Sequence, residues 1–266
     1  MTACDHRLPS TIVRYCGAVV GRRAVWRVIM GLAIDLATAK TNKYASRESG
    51  DTVEFVERPT GGFSAVLVDG QGTGAAAKSL SLQLTSRAVG LLKEGVRDGV
   101  VARAVHDTLF AFRNGKVSAT LEILSADLKT HDIVATRNAV NPLVVLDGDD
   151  VTTIESDAGP VGLYHFTRPS VVRIPLKVGL VVISYSDGIH GSGNRARSGA
   201  FDVAAWLRDV RPATATSLSV AQAILDEAVA RDSGRPADDM AVVVLTVTEQ
   251  AESPLVRTIS MRIPLP

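Results

Sequence analysis

Four acidic positions in this sequence lie at the ends of apolar runs that have the length and composition of strands. Asp69 and Asp187 each end such a run and are followed by glycine, whereas Asp51 and the pair Asp238-Asp239 each precede one. Hard divalent cations such as Mg²⁺ and Mn²⁺ prefer oxygen ligands, and a two-metal site needs several carboxylates, one of which bridges the ions. The set therefore predicts an oxygen-rich metal centre, although an aspartate taken singly at such a position is more often a turn or cap residue than a metal ligand.

The stretch 63–84, FSAVLVDGQGTGAAAKSLSLQL, combines several of these features. Its first six residues form an apolar run typical of a strand buried on both faces, and the run stops at Asp69. Gly70, Gly72 and Gly74 then alternate, which lets the backbone turn sharply and approach a ligand, and three alanines follow as helix formers. The pattern predicts a strand, a tight turn and a helix, with the Asp69 carboxylate and nearby carbonyls facing one point. A plain strand-to-helix turn with a capping aspartate is the alternative.

Composition and charge bound the class of protein. The chain has 266 residues, 46% of them apolar, and a formal net charge of +1. This size and composition suit a single α/β or α+β domain, and the near-zero charge offers no broad basic field for nucleic acid or a membrane surface. Cys4 and Cys16 match no zinc-ligand spacing and are too few for a disulfide framework, which favours a reducing, cytoplasmic setting.

The first 29 residues differ from the rest of the chain. They contain one acid, Asp5, and five arginines, at positions 7, 14, 22, 23 and 27. The arginines interrupt the apolar patch too often for a membrane span, and the segment lacks the apolar core and cleavage site of a secretory signal. We therefore expect residues 1–29 to be a loosely ordered tail or an upstream start, and residues 30–266 to form one folded domain.

Hydrophobic periodicity predicts an alternation of strands and helices. Strands are expected at 31–38, 53–57, 63–68, 118–125, 132–137, 143–147, 151–155, 170–175, 179–185, 240–247 and 255–263, and helices at 74–93, 98–112, 200–209 and 220–231. A turn at 58–62 should pair the second and third strands and bring Asp51 back towards Asp69. The four runs between 118 and 155 are typical of an antiparallel meander. The first two helices could either pack passively on the sheet or move as a regulatory unit.

A basic loop, HGSGNRARSG at 190–199, follows Asp187. Arg195 and Arg197 in this loop could bind a phosphorylated partner, because a guanidinium group holds phosphate through two parallel hydrogen bonds. A solvated loop with no binding role is the simpler interpretation of the same residues.

Six motifs occur in an order that resembles a known family. They are SGD at 49–51, VDGQGTG at 68–74, SATLEILSAD at 118–127, RNAVNPLVVL at 137–146, SDG at 186–188 and ADDMAVVVL at 237–245. Together they resemble the metal-dependent serine/threonine phosphatases of the phosphatase 2C superfamily, in the bacterial branch named after stage II sporulation protein E. The resemblance runs from about residue 31 to residue 247.

This resemblance implies an α+β fold, a four-layer αββα sandwich of two mainly antiparallel sheets with two Mn²⁺ or Mg²⁺ ions between their open ends. By motif, Asp69 would bridge both ions and Gly70 would contribute its carbonyl. Asp187 and Asp238 would complete one ion, and Asp51 would serve the other. The implied reaction is attack on phosphorus by a hydroxide that bridges the metals, with Asp69 and Asp187 as the catalytic carboxylates.

Gln71 and Arg47 stand at or near positions that carry functional residues in eukaryotic members of the resembled family. Gln71 stands where many of them carry a histidine proposed as the leaving-group acid, and an amide cannot donate that proton, so water or substrate would have to supply it. Arg47, four residues before Asp51, is the candidate for their phosphate-binding arginine.

The chain looks like the short, stand-alone stress-response members of this branch. The resemblance therefore implies a cytoplasmic phosphatase that removes phosphate from phosphoserine or phosphothreonine on a bacterial signalling protein. The implied partner is a phosphorylated regulator of a sigma-factor pathway, either an anti-sigma antagonist or a stress-sensing scaffold.

Two other functions remain open on the sequence. Gln71, the hairpin at Asn141-Pro142 and the arginine loop favour a catalytically silent module that keeps the fold and docks a partner. A different two-metal phosphohydrolase, acting for instance on nucleotides, is the third interpretation. Metal titration separates the first two, because a silent module should bind metal weakly or hold one ion without turnover.

Overall fold

The computed structural model describes residues 31–195, 197, 199–210 and 216–250. The strands within these residues are β1 Gly31–Thr41, β2 Asp51–Glu57, β3 Phe63–Gly70, β4 Ala119–Asp127, β5 Asp132–Asn138, β6 Leu143–Asp147, β7 Asp150–Ile154, β8 Ser170–Pro175, β9 Leu180–Tyr185 and β10 Met240–Gln250. The helices are α1 Gly74–Lys93, α2 Asp98–Arg113, α3 Asp187–His190, α4 Val203–Val210 and α5 Ser217–Arg231.

The strands form two five-stranded sheets. Sheet A has the order β1-β10-β9-β6-β7 and sheet B the order β2-β3-β4-β5-β8. All neighbouring strands run antiparallel. β1 lies at an edge of sheet A.

The sequence of β3 shows why the molecule has four layers. Val66 and Val68 pack with residues of α1 and α2, whereas Ala65 and Leu67 belong to the apolar cluster between the two sheets. Successive side chains of a strand point to opposite faces, so a strand that is apolar on both faces must be covered on both. The outer face of sheet A is covered in the same way by α4 and α5. The predicted αββα sandwich of antiparallel sheets is confirmed.

The prediction of one continuous meander between 118 and 155 is wrong for the connection between its second and third strands. β4 pairs with β5 and β6 pairs with β7, but β5 and β6 belong to different sheets. The chain crosses between the sheets at Asn141-Pro142, where the Asn141 side-chain amide donates to the carbonyl of Tyr185 at 3.3 Å. Pro142 has no N–H with which to continue a ladder, so the first hairpin cannot extend through it.

The remaining differences concern element ends. Nothing in the sequence predicts α3, since four residues are too few to show a helical period. β1 and β10 extend beyond the predicted strands because they pair with each other along their whole lengths. The predicted strand 255–263 and the expected tail 1–29 lie outside the described residues. Among the described helices, none is long and apolar enough to cross a membrane.

Candidate metal centre

Asp51 and Asp69 lie side by side at one end of sheet B. Asp51 is the first residue of β2, Asp69 is the last but one of β3, and the two are direct partners in the antiparallel register. Directly opposed residues of an antiparallel pair have Cβ atoms about 5 Å apart and on the same face of the sheet. The hairpin predicted from the turn at 58–62 is confirmed, and it is what brings these two carboxylates together.

Sheet A supplies two further carboxylates. Asp187 begins α3 directly after β9, and Asp238 stands two residues before β10, the neighbour of β9. The carboxyl groups of Asp69 and Asp187 lie close enough to shift each other's pKa, so the ends of the two sheets meet here. Asp238 is close enough to act electrostatically on both of them. We refer to Asp51, Asp69, Asp187 and Asp238 as the carboxylate centre.

Burial and mutual repulsion raise the pKa values of three carboxyls in this centre. Burial, followed by the charges of Asp51 and Asp187, raises the pKa of Asp69 from 3.8 to about 9. Burial, together with the charges of Asp239 and Asp187, raises the pKa of Asp51 to about 7. The pKa of Asp187 is also raised. The first cause is the partial removal of its carboxylate from water and the second is the charge of Asp238, although the residue remains exposed at the surface. Carboxyls so arranged ionise together only when positive charge compensates them.

The Asp51 side chain is buried, and the nearby Ser186 side chain lowers its pKa without offsetting the effect of burial. The residue is 1% exposed, and neither carboxylate oxygen accepts a hydrogen bond from a described residue. A buried carboxylate is costly unless a donor or a cation meets it. The carboxylates and nearby backbone carbonyls are also the donors that Mg²⁺ and Mn²⁺ take in proteins, so the residues fit these ions. In the described part of the chain, no three His, Cys, Asp or Glu side chains are close enough to enclose an ion as they stand.

Asp239 holds the loop that leads into Asp51. Its carboxylate accepts hydrogen bonds from the backbone N–H groups of Lys43 and Gly50, both at 2.8 Å, and the residue is 5% exposed. The side chain of Asp238 is half exposed and pairs with the Lys43 ammonium at 3.8 Å. The two adjacent acids therefore differ in role, since Asp239 orders the loop and Asp238 remains accessible at the centre. Their adjacency in sequence contains no signal for this division.

Two glycines let the surrounding elements approach closely. A Cβ atom on Gly70 would lie 2.5 Å from the backbone carbonyl oxygen of Ala77 in α1. A Cβ atom on Gly188 would collide with the backbone carbonyl of Asp239. The glycine that follows each aspartate therefore has a packing reason, because any side chain there would push α1 or the start of β10 away from the carboxylate centre.

Gln71 fastens the turn after β3 to the start of β4. Its side-chain carbonyl accepts hydrogen bonds from the backbone N–H of Ser118 at 2.8 Å and from the Ser118 hydroxyl at 3.3 Å. Its backbone N–H donates to the Ser118 carbonyl at 3.1 Å. The residue is exposed, and its contacts give it a structural role in the turn.

Two lysines that were not predicted from the sequence lie against the carboxylate centre. Lys40, at the end of β1, and Lys78, in α1, both donate from their ammonium groups to the backbone carbonyl of Asp51, at 3.1 and 3.2 Å. Burial and the neighbouring charge of Lys78 lower the pKa of Lys40, although part of its side chain reaches solvent. We refer to Lys40 and Lys78 as the lysine pair. They come from different elements and share no motif, so no sequence signal could have found them.

The three arginines proposed for substrate binding are exposed. Arg47 lies in the loop before β2, where its backbone carbonyl accepts a hydrogen bond from the Asn42 side chain at 3.2 Å. Arg195 and Arg197 lie in the loop after α3. Among the described residues, no hydrogen bond or ion pair joins any of these guanidinium groups to the carboxylate centre, and their role in binding substrate stays a prediction.

Two antiparallel sheets packed face to face between helices, with acidic residues of both sheets meeting at one end, define the fold of the phosphatase 2C class. The family model for stage II sporulation protein E (SpoIIE) matches residues 59–248, and the chain belongs to this family. The stage II sporulation protein E of Bacillus subtilis (strain 168) is 23% identical over 216 residues, which cover 80% of this chain and 26% of that protein. The chain thus spans about a quarter of the length of this relative.

Solved structures share the fold. The phosphatase domain of SpoIIE from Bacillus subtilis, with a fragment of its regulatory domain, matches at a TM-score of 0.72 and 23% identity, covering 85% of this chain and 65% of that one. The RsbU and RsbW domains of Rv1364c from Mycobacterium tuberculosis match at 0.66 and 18% identity, covering 83% and 61%. The catalytic domain of the serine/threonine phosphatase PstP, in complex with two manganese ions, matches at 0.63 and 16% identity, covering 82% and 100%.

Proposed function

We propose that this chain is a metal-dependent protein phosphatase that hydrolyses phosphoserine or phosphothreonine on a bacterial signalling regulator. One observation carries the proposal: Asp51 and Asp69 of sheet B meet Asp187 of sheet A, and both Asp51 oxygens are buried and unpaired. Membership of the SpoIIE family and the shared phosphatase 2C fold support the same class of enzyme.

In this proposal, two Mn²⁺ or Mg²⁺ ions are held by Asp51, Asp69, Asp187, Asp238 and the backbone carbonyl of Gly70. When bound, such ions activate water as the nucleophile and offset the charge of the phosphate. Asp69 stands between the two sheets, in contact with Asp187 and opposite Asp51, which suits it to serve both ions.

The other residues of the site position these ligands. Asp239 orders the loop before Asp51 through two backbone N–H groups, and Gly70 and Gly188 let α1 and β10 pack closely. Gln71 is engaged with Ser118, so water or the substrate supplies the proton to the leaving group.

The proposed partner is a phosphorylated regulatory protein, of the anti-sigma antagonist or stress-sensing scaffold type, in the cytoplasm. The likeness to a chain that combines RsbU and RsbW domains supports a partner of this regulatory kind. A phosphorylated protein offers a serine or threonine phosphate on a flexible segment, which an open strand-end site can reach.

Phosphate release by the purified protein tests the proposal. With Mn²⁺ or Mg²⁺, the wild type should hydrolyse p-nitrophenyl phosphate and a phosphoserine peptide. Asp69→Asn and Asp187→Asn should each reduce kcat by at least about a hundredfold, since metal ions supply several kcal/mol of transition-state stabilisation. Asp147→Asn is the matched control, because Asp147 is an exposed acid that pairs with Lys177 outside the centre. If the wild type is inert with both metals and both substrates, the proposed enzymatic function is refuted, and the catalytically silent binding module is the interpretation that remains.

A further inference from the structure

The lysine pair brings two positive charges to one backbone oxygen. The ammonium groups of Lys40 and Lys78 lie 3.1 and 3.2 Å from the Asp51 carbonyl oxygen, so they can be no more than about 6 Å apart. One comes from sheet A and the other from the helix that covers sheet B. Like charges at this separation repel, so an anion that meets both would be favourable.

Each lysine has more N–H donors than the hydrogen bonds that its ammonium group forms in the described structure. An ammonium group has three N–H donors. Lys78 uses one for the Asp51 carbonyl and one for the Thr52 hydroxyl at 3.0 Å, and Lys40 uses one for the Asp51 carbonyl. In the part of the chain that the structure describes, neither ammonium forms an ion pair with a carboxylate. Donors therefore remain for a ligand on both side chains.

The carboxylates of Asp51 and Asp239 lie near the lysine pair but form no ion pair with it in the described structure. The Asp51 carboxylate accepts no hydrogen bond from either lysine, and the Asp239 carboxylate is engaged by the backbone N–H groups of Lys43 and Gly50. The lysine pair thus lies beside the carboxylate centre, and its charges are not neutralised by ion pairs with these carboxylates. This is the arrangement expected for cations that receive an anionic ligand next to a metal site.

An open groove leads along α1 to Lys78. The groove has a volume of about 600 Å³ and is lined by one face of α1, with Glu48 on its other side. Its helix residues recur at three- and four-residue steps, as expected for a single helix face: Ala75, Lys78, Ser79, Leu82, Gln83 and Ser86. A ligand in the groove therefore reaches Lys78 from solvent, and Lys40 lies beyond Lys78 on the shared Asp51 carbonyl.

We propose that Lys40 and Lys78 bind the phosphate group of the substrate at the edge of the carboxylate centre. This inference rests on the proposed phosphatase function and names the cations that the reaction uses to hold the phosphate. The lysine pair would then take the role that the family resemblance suggests for Arg47, which is exposed and, among the described residues, forms no hydrogen bond or ion pair with the centre. Inorganic phosphate, the product, has the same chemistry and should bind the same pair.

Phosphate binding is the direct test. Inorganic phosphate is titrated into the Mn²⁺-loaded and the metal-free protein by calorimetry. We expect Lys78→Gln and Lys40→Gln each to weaken phosphate binding by about tenfold, the typical effect of losing one charge-assisted hydrogen bond. The double variant should weaken it further. Lys93→Gln is the matched control, because Lys93 is an exposed lysine in the last turn of the same helix and should leave phosphate binding unchanged.

Metal affinity separates phosphate binding from a purely structural role. If the lysine pair only positions Asp51, Lys78→Gln should weaken Mn²⁺ binding and leave phosphate binding to the loaded protein unchanged, which would overturn the inference. If the pair binds phosphate, removing a cation beside the carboxylates should leave Mn²⁺ affinity equal or higher. Lys78→Arg, which keeps the charge, should restore most of the phosphate affinity, and thermal melting checks that each variant folds.

Kinetics separate this inference from the proposed function. With p-nitrophenyl phosphate, the KM and the inhibition constant of phosphate should rise together, by about tenfold in each single variant. An active double variant with wild-type KM would overturn the inference and leave the phosphatase function intact. A wild type that binds phosphate through the lysine pair but hydrolyses nothing would refute the function and leave the anion site standing. If the variants lose phosphate binding while KM stays unchanged, the lysine pair binds free phosphate at a site that the substrate does not use. This result would overturn the assignment of the pair to the substrate's phosphate group.

Discussion

At the scale of single residues, ionisation of the carboxylate centre works against folding. The folded-state pKa values of Asp69 and Asp51 are about 9 and about 7, whereas an aspartate in the unfolded chain titrates near 3.8. The folded protein therefore holds protons that the unfolded chain releases, and the stability present below pH 3.8 is lost as the pH rises through these values. A bound divalent cation reverses this balance, because it favours the ionised carboxylates.

Asp69→Asn should stabilise the metal-free protein at high pH while abolishing activity. In EDTA, the Tm of the variant should exceed that of the wild type by more at pH 8 than at pH 5. Asp69 ionises in the unfolded chain but stays protonated in the folded protein, so rising pH favours unfolding of the wild type, whereas the amide does not titrate in either state. One unit of pKa shift corresponds to about 1.4 kcal/mol, so a gain of several degrees is expected at pH 8. Mn²⁺ should raise the Tm of the wild type more than that of the variant. Equal Tm differences at both pH values would contradict the raised pKa of Asp69.

The neighbours Asp238 and Asp239 should respond differently to alanine. Asp239→Ala leaves two backbone N–H groups without their acceptor and should cost about 2–4 kcal/mol of unfolding free energy, measured by urea denaturation. Asp238→Ala removes a half-exposed side chain and should leave stability nearly unchanged while weakening Mn²⁺ binding. Hydrogen exchange should show faster exchange at Lys43 and Gly50 in the Asp239 variant alone. Similar losses of stability in both variants would refute this division of roles.

At the scale of elements, α1 and the start of β10 are held against the centre by close backbone contact. Gly70 meets the Ala77 carbonyl, and Gly188 meets the backbone of Asp239. The helix therefore has little room to approach further, and any added side chain would displace it together with Lys78. This coupling makes the position of α1 a determinant of the site, whether the helix pair packs passively or moves.

Gly70→Ala should lower both stability and activity, whereas Gly90→Ala should do neither. A methyl group at Gly70 overlaps the Ala77 carbonyl, and overpacking of this kind typically costs about 1–3 kcal/mol. Gly90 lies inside α1 with open space around it, so alanine there should stabilise the helix by about 0.5–1 kcal/mol. Thermal melts and p-nitrophenyl phosphate turnover measure both effects. A Gly70→Ala protein with wild-type kcat would show that the contact with α1 does not position the site.

At the scale of the whole molecule, a buried polar network joins the two sheets. The Arg137 guanidinium donates to the Glu122 carboxylate at 2.9 Å, and both residues lie on sheet B. Ser184 of sheet A donates to the same carboxylate at 2.7 Å, and Arg137 also donates to the Ile154 carbonyl of sheet A at 3.1 Å. An ion pair so buried stabilises little in itself, but breaking it is costly.

Glu122→Gln should therefore destabilise the protein by about 3–5 kcal/mol, because it leaves the buried Arg137 charge uncompensated. The double variant Glu122→Leu with Arg137→Met should cost less than Glu122→Gln alone, since it removes both charges. Arg173→Met is the control, because Arg173 forms an exposed ion pair with Asp132 on the same sheet and should change stability by less than about 1 kcal/mol. Urea unfolding in EDTA measures all three variants. A double variant at least as unstable as the single one would indicate that the network is net stabilising.

The αββα class was predicted from the resemblance of the ordered motifs to a known family. Turn chemistry and strand periodicity by themselves predicted the β2–β3 hairpin and the meeting of Asp51 with Asp69. These last two features follow from local signals, since strand periodicity, a turn at 58–62 and a glycine after an apolar run depend on residues close together in the chain. The ordered motifs extend this to Asp187, which the structure brings into contact with Asp69. The metal-binding roles of these residues, and the substrate-binding roles of Arg47, Arg195 and Arg197, stay predictions.

Contacts between distant segments emerged only when the two sheets packed. The passage of the chain from β5 to the other sheet, the role of Asp239 and the convergence of Lys40 and Lys78 on one carbonyl all join residues from separate elements. Such contacts produce no periodic pattern in the sequence. They depend on which strand ends become neighbours, and that is decided when the apolar faces on both sides of each sheet are buried. Residue types and their order could therefore predict which carboxylates meet at one end of the sheets, whereas the positions of the two lysines and the loop contacts around them depended on the geometry of packing.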